Sequence, residues 1–259
     1  MSASFFTRTD DDGGYAATER TAGPWDPGAQ HGGPPCALLG RELAAVGAAE
    51  GLVPARLTFE LLGPVPVDEL RVRAEVVRRG KRVQLTEATL ESRGRVAIRA
   101  RAWQVAATEA PDALPAGPPP PPIPDHDVPP PAGWNPGGYL GAIEWRYTHG
   151  GGLDEPGAAA AWTRPRVALV EGEPIAPLER LLLVADSGNG ISARLDIAEW
   201  LFINPELTVH VVREPRGEWV LLDAETSIAH GGAGLARSTL SDPEGPVAHG
   251  AQSLLVAPR

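Results

Sequence analysis

The chain repeats itself at an offset of about 150 positions, and that repeat limits what it can fold into. Ala74-Glu75 recurs as Ala224-Glu225, and Thr89-Leu90 recurs as Thr239-Leu240. With one further residue inserted, Val96-Ala97 matches Val247-Ala248, and Val105 matches Val256. Each set follows an apolar run that stops at a proline, Pro64 in one half and Pro205 in the other. A nearly constant offset across three strand-like stretches signals duplication, so both halves must build the same unit.

That unit can be read from the first copy. Gly32 and Gly33 allow a tight turn, and Pro34 and Pro35 suit the first positions of a helix. Leu39, Leu43 and Val46 then recur at helical spacing as a buried stripe, and Gly47 is expected to end the helix. Strand patterns follow at Ala55–Leu62, Leu70–Val77, Val83–Glu91 and Val96–Val105, with turns at 78–81 and 93–94. One helix followed by a meander of long strands predicts an antiparallel sheet wrapped around that helix. In the second copy, Trp134–Trp162 supplies opening strands and a Gly-rich loop, Pro177–Asp186 the helix, and four strand-like stretches follow. Prolines crowd the stretch between the copies, including Pro111, Pro115, Pro118 and Pro129–Pro131, and exclude a helix or sheet interior there. The expected organisation is therefore a unit over 1–107, an extended Pro-rich linker over 108–133 and a second unit over 134–259.

Composition narrows the function. The formal net charge of -10 argues against a general nucleic-acid surface. Cys36 is the single cysteine, which excludes an intramolecular disulfide and a Cys-rich zinc site and fits a buried structural thiol in a reducing cytoplasm. No apolar run approaches the ~18 residues that span a membrane, and MSASFFTRTDDDGG lacks the pattern of a secretory signal. Asp10, Asp11 and Asp12 beside two glycines read as a solvated loop rather than a metal site. A cytoplasmic protein without membrane or nucleic-acid partners is expected.

Within the second helix, Leu178, Leu182 and Asp186 stand at i, i+4 and i+8 and share one face. Gly188, Asn189 and Gly190 are expected to end that helix in a left-handed cap. A carboxylate on an inward face at a helix C-terminus is penalised by desolvation and by the helix dipole. It is either a local cap for the next loop or a functional group. His31-Gly32-Gly33 is a second candidate. Unpaired N–H groups at a helix start suit a developing oxyanion, although two glycines also simply make the turn. HGG recurs at His149 and His230, where it reads as loop. Ser187 lies in no G-x-S-x-G elbow, and SGNG closes a helix where a dinucleotide fingerprint would open one.

Four segments, HGGPPCALL from His31, VADSGNG from Val184, INPELTVH from Ile203 and GAQSLLV from Gly250, carry a family likeness across both halves. On them the chain resembles the type II acyl-CoA thioesterases of actinobacterial type. The resemblance implies an α+β double hotdog, two copies of a curved antiparallel sheet around a central helix. It implies an acyl-CoA substrate hydrolysed to free acid and CoA by Asp-activated water, no cofactor, no metal, and a homo-oligomer of two or more chains. In that family an Asp on the second helix, a Thr or Ser, and a Gln on the last strand orient the water. By position the Asp is Asp186 and the Gln is Gln252. The hydroxyl position holds Arg194 or Leu195, with Ser192 the nearest hydroxyl and Thr208 the next on a strand. Gly32, Gly33, His31 and Asn189 are expected around the substrate carbonyl. The basic turn of Arg78, Arg79, Lys81 and Arg82 either meets CoA phosphates or is a solvated hairpin end.

The chemistry agrees with the Asp and Gln roles. A carboxylate whose pKa is raised by an apolar face is a better general base than a solvated one. Gln252 can donate and accept, so it can fix a water it cannot deprotonate. Its match in the first half is taken as Arg101, which has no acceptor, so one site per chain is expected. Two alternatives stand beside hydrolysis. One is a non-catalytic acyl or acyl-CoA binding protein on the same fold. The other is a hotdog dehydratase or hydratase, which needs a His–carboxylate pair, with Asp26 near His31 the candidate.

Overall fold

A computed structural model describes residues 3–108, 119–151 and 155–259. Pro111, Pro115, Pro118 and part of the Gly-rich loop lie outside the described residues. The first half consists of β1 (Ser4–Arg8), β2 (Gly14–Ala17), α1 (Gly33–Ala48), β3 (Leu52–Leu61), β4 (Glu69–Arg78), β5 (Val83–Ser92) and β6 (Arg95–Ala106). The second has α2 (Tyr139–Ala142), β7 (Ile143–His149), β8 (Ala159–Pro165), β9 (Ala168–Val170), α3 (Pro177–Ala185) and α4 (Gly188–Ile191). It ends with β10 (Trp200–Ile203), β11 (Glu206–Val211), β12 (Val220–Ile228), β13 (Ala233–Asp242) and β14 (Gly245–Pro258). This is the double hotdog: α1 lies in the curve of β3–β6, and α3 with α4 in the curve of β8 and β12–β14.

The strands of both halves join in one 14-stranded sheet, ordered β7-β8-β12-β13-β14-β11-β3-β6-β5-β4-β2-β1-β9, with β10 alongside β14. The halves meet where β3 pairs antiparallel with β11, and the register sets Thr58 opposite Thr208. Those two residues are repeat mates at an offset of 150, so a pseudo-twofold axis passes between them. Register also corrects the sequence alignment. Arg101 pairs with Thr58 and Glu87, and Ala251 pairs with the mates of both, Thr208 and Arg237. A register break after Leu90 in β5 recurs after Leu240 in β13. The offset is therefore 150 along all four strands, without the inserted residue that the Val-Ala identities suggested. The structural mate of Gln252 is Ala102, not Arg101. Ala102 is buried facing the helix, whereas Arg101 lies on the outer face beside Glu87.

Both central helices run antiparallel against each other and bury more than a stripe. Leu181 through Ala185 are all buried, because sheet covers one side of α3 and α1 covers the other. Gly40 lets the helices approach this closely: a Cβ there would sit 2.1 Å from Leu182 Cδ1. Packing, not propensity, stabilises such a short helix. α3 starts at Pro177, with the Glu179 carboxylate accepting the Ala176 N–H at 2.9 Å. Gly47 lies inside α1 rather than ending it; the left-handed turn falls at Gly51, φ 71. Gly188–Gly190 likewise do not form a left-handed cap. After Asp186 and Ser187, both in the helical region, the chain continues into the single turn α4.

Residues 119–133 do more than connect. Trp162 Nε1 donates to Pro121 O at 3.0 Å, Arg146 to Pro124 O at 2.7 Å, and Val128 N to Trp145 O at 2.7 Å. Extended proline-rich backbone has no internal hydrogen bonds, so its carbonyls are free to be held this way.

Candidate active site

Asp186 caps the C-terminal end of α3 and faces the N-terminus of α1. It is only 5% exposed. Burial pushes its carboxyl up to about 6, partly offset by hydrogen bonds from Asn204 and Gln252 and by the backbone N–H of Gly32. Asn204 Nδ2 donates to Asp186 Oδ1 at 2.8 Å, and Gln252 Nε2 donates to the same oxygen at 3.2 Å. Gln252 also donates to the Asp186 backbone carbonyl at 3.0 Å and accepts the Asn189 N–H at 3.1 Å. It therefore clamps the junction between α3 and α4 from β14. The Gly32 backbone N–H faces the same carboxylate and helps to hold its pKa down as a third donor.

His31 Nδ1 lies 3.5 Å from Asp186 Oδ2. That nitrogen already accepts the Gly33 N–H at 3.0 Å, and burial pulls the imidazole down to about 3, so the contact is not an ion pair. The ring lies flat on Tyr139, centroids 3.8 Å apart and planes within 5°. Tyr139 OH in turn donates to Leu183 O at 2.8 Å and meets Ser187 Oγ at 2.8 Å. Asp26, the carboxylate considered for a dehydratase pair, instead accepts the Gly28 N–H at 2.8 Å within its own turn.

Asp186, His31, Gly32, Asn189 and Asn204 line one cavity of about 560 Å³. Most of its remaining wall is apolar or aromatic, including Trp25, Trp134, Trp145 and Phe202, with Asp26, Gln30, Ser187 and Arg259 adding polar and charged groups. Val128–Pro131 of the Pro-rich segment contribute to the same walls. A largely apolar cavity with a few convergent polar groups and a perturbed carboxylate has the attributes of a substrate site.

The hydroxyls considered from sequence stand elsewhere. Ser192 Oγ bonds to Gly188 O at 2.8 Å and to Thr226 Oγ1 at 2.7 Å, which ties α4 to β12. Thr208 alternates with the buried Leu207 and Val209, so it points to the outer face, where its hydroxyl lies 3.3 Å from Thr58 Oγ1 and 3.2 Å from Glu206 Oε2. Neither is hydrogen-bonded to Asp186. Asn204 is the site residue that sequence reasoning passed over, although it lies inside INPELTVH just before Pro205. The glycines of HGG serve close approach: a Cβ on Gly32 would lie 2.5 Å from Asp186 Oδ2, and one on Gly33 2.1 Å from Leu183 O. The basic turn lies away from the cavity, with Arg79 paired to Glu50 and Arg78 over the Trp103 ring.

At the opposite end of the α1–α3 pair, where the pseudo-symmetry would place a second site, Arg41 pairs with Glu173 and with Glu179. Charged side chains fill that end, and the mate of Gln252 is an alanine.

Comparison with known proteins decides the family. An acyl-CoA thioesterase C-terminal domain matches residues 111–256, and an acyl-CoA thioesterase N-terminal domain matches 21–105. The chain belongs to the acyl-CoA thioesterase family. It is a thioester hydrolase by that membership. The thioesterase also shares its fold with solved structures over nearly its whole length. Acyl-CoA thioesterase II TesB2 from Mycobacterium marinum superposes with a TM-score of 0.68 at 16% identity, covering 98% of this chain and 95% of that one. The tesB protein of Mycobacterium avium subspecies paratuberculosis gives 0.71 at 14% identity over 98% and 96%. A conserved protein with a hot dog fold from Alicyclobacillus acidocaldarius gives 0.72 at 18% over 96% and 95%. No curated protein matches the sequence. Among the described residues, no helix of the thioesterase is long and apolar enough to cross a membrane.

Proposed function

We propose that this thioesterase hydrolyses acyl-CoA by water that Asp186 deprotonates and that Gln252 and Asn204 help to place. The observation that carries the reading is a buried carboxylate, raised to about 6, on the wall of an apolar cavity. Near neutral pH it is ionised yet basic enough to take a proton from an attacking water. The two amide donors share Oδ1, which leaves Oδ2 as the oxygen for the water. The water oxygen bonds to the thioester carbonyl carbon while its proton passes to Asp186. The tetrahedral intermediate then collapses, the C–S bond breaks, and the electron pair leaves on sulfur. The proton held by Asp186 is released to the thiolate or to solvent, which restores the base.

Asn204 takes the supporting place for which the family pattern has a hydroxyl. An amide can fix the carboxylate but cannot share in proton transfer. The mostly apolar and aromatic lining favours an acyl group with a largely apolar body, and the homo-oligomer expected from the family likeness stays part of the proposal. The test is release of free thiol from a panel of acyl-CoAs, run beside Asp186→Asn. Turnover of at least one acyl-CoA that falls ~100-fold or more in the variant is expected. Equal turnover in the variant would remove Asp186 from the mechanism, and binding without turnover at any chain length would leave only an acyl-CoA binding protein.

A further inference from the structure

Attack on a thioester puts negative charge on the carbonyl oxygen, and that oxygen needs a fixed donor. The backbone N–H groups that the sequence pointed to are already engaged. Gly33 N–H donates to His31 Nδ1 at 3.0 Å, Asn189 N–H to Gln252 Oε1 at 3.1 Å, and Gly32 N–H faces the Asp186 carboxylate. Another donor must serve.

His31 has the attributes required. Because Nδ1 accepts the Gly33 N–H, the neutral ring must carry its proton on Nε2. Nε2 makes no hydrogen bond to any described residue. The side chain lines the cavity beside Asp186, and its ring is held flat against Tyr139, which is itself anchored at both Leu183 O and Ser187 Oγ. A donor locked on two sides loses no orientation when charge develops, which is the condition for a strong oxyanion contact. The same lock excludes a base role, since the Nδ1 lone pair is occupied.

We propose that His31 is a catalytic residue of this hydrolase, donating Nε2–H to the thioester carbonyl oxygen. The proposal rests on the hydrolytic reading of the site. During attack, the carbonyl π pair moves onto the oxygen facing Nε2–H, while the proton of the water goes to Asp186. When the C–S bond breaks, that pair reforms the C=O bond and thiolate departs. His31 keeps its proton throughout.

His31→Phe keeps a ring on Tyr139 and removes the donor, whereas His31→Gln restores an amide donor at similar reach. With acyl-CoA as substrate, kcat should fall ~100- to 1,000-fold in His31→Phe, with KM changing far less. His31→Gln should recover about tenfold or more of that loss. The pH profile, set by Asp186, should keep its inflection near 6 in both variants. Nitrogen-15 NMR of the unmodified protein should show the Nε2–H tautomer with no titration through neutral pH, a readout independent of turnover and of how the variants fold. Wild-type kcat in His31→Phe, an Nδ1–H tautomer, or a loss in Asn189→Ala without one in His31→Phe would overturn the assignment. Wild-type protein inert toward every acyl-CoA would instead sink the hydrolase reading, and the His31 role with it.

Discussion

Asp186→Asn should change stability as well as activity, and the change should depend on pH in a direction the structure sets. The Asp186 carboxyl binds its proton near pH 6 in the folded chain, against an ordinary value of 3.8. A raised pKa means the folded state holds the proton more tightly than the unfolded state. The group therefore costs nothing below about pH 3.8, and its cost grows as pH rises through about 6. Above that it levels off at about 3 kcal/mol, taking about 1.4 kcal/mol for each tenfold difference in proton affinity. Asparagine never ionises, so the variant escapes this cost at every pH. It keeps an oxygen for Gln252 and Asn204 but turns an amide toward the Gly32 N–H, a fixed penalty that does not vary with pH. The variant should thus gain about 2 kcal/mol relative to wild type between about pH 4.5 and pH 8. At the rates typical of a chain this long, that is roughly 4–8 °C in Tm. Urea unfolding of both proteins across that range measures it, and every other titrating group cancels in the difference. A stability difference that stays flat with pH would show that Asp186 is not strained by burial, and the argument for a raised base would collapse with it.

Further outcomes follow from the same geometry. The pH dependence of kcat/KM should rise with a single inflection near 6 as Asp186 ionises, checked with one acyl-CoA across pH 4–8. Gln252→Leu should lower kcat by tenfold or more and destabilise the chain by about 1–3 kcal/mol, because it strands the Asp186 carbonyl and the Asn189 N–H; denaturant titration and thiol release measure the two effects separately. Gly33→Ala should cost about 2–4 kcal/mol and reduce soluble yield, since its Cβ would meet the Leu183 carbonyl at 2.1 Å, a backbone atom that cannot swing aside. Glu144→Ala should cost about 3 kcal/mol and increase proteolysis within 119–133, as the buried carboxylate holds Arg146 at 2.7 Å and Arg164 at 2.8 Å, and Arg146 in turn holds Pro124.

The fold was legible because duplication and strand alternation are local patterns. Two copies of a helix followed by four alternating strands leave few ways to bury their apolar faces, and the four family-like segments on the helices and strands completed the assignment. Asp186 stood out for a similar reason: a charge on a helical apolar stripe is visible from spacing alone. The partner set was not. Asn204 lies 18 residues from Asp186 and His31 lies in the other half of the chain, so only the antiparallel packing of α1 on α3 and the approach of the 204 region bring the three together. The mate of Gln252 was misread because a one-residue shift in a strand moves every side chain to the opposite face, and chance Val-Ala identities favoured the wrong register. Even the fate of the HGG glycines needed the tertiary structure. Sequence marks them as positions where backbone can approach closely, but it cannot say that their N–H groups are turned to Asp186 and His31 instead of being left free. What the sequence determined by itself is the repeating unit and its one misplaced carboxylate, because periodicity is written along the chain. What the tertiary structure decided is which donors that carboxylate keeps and which remain for a substrate, because hydrogen bonds between distant segments exist only once the segments are packed.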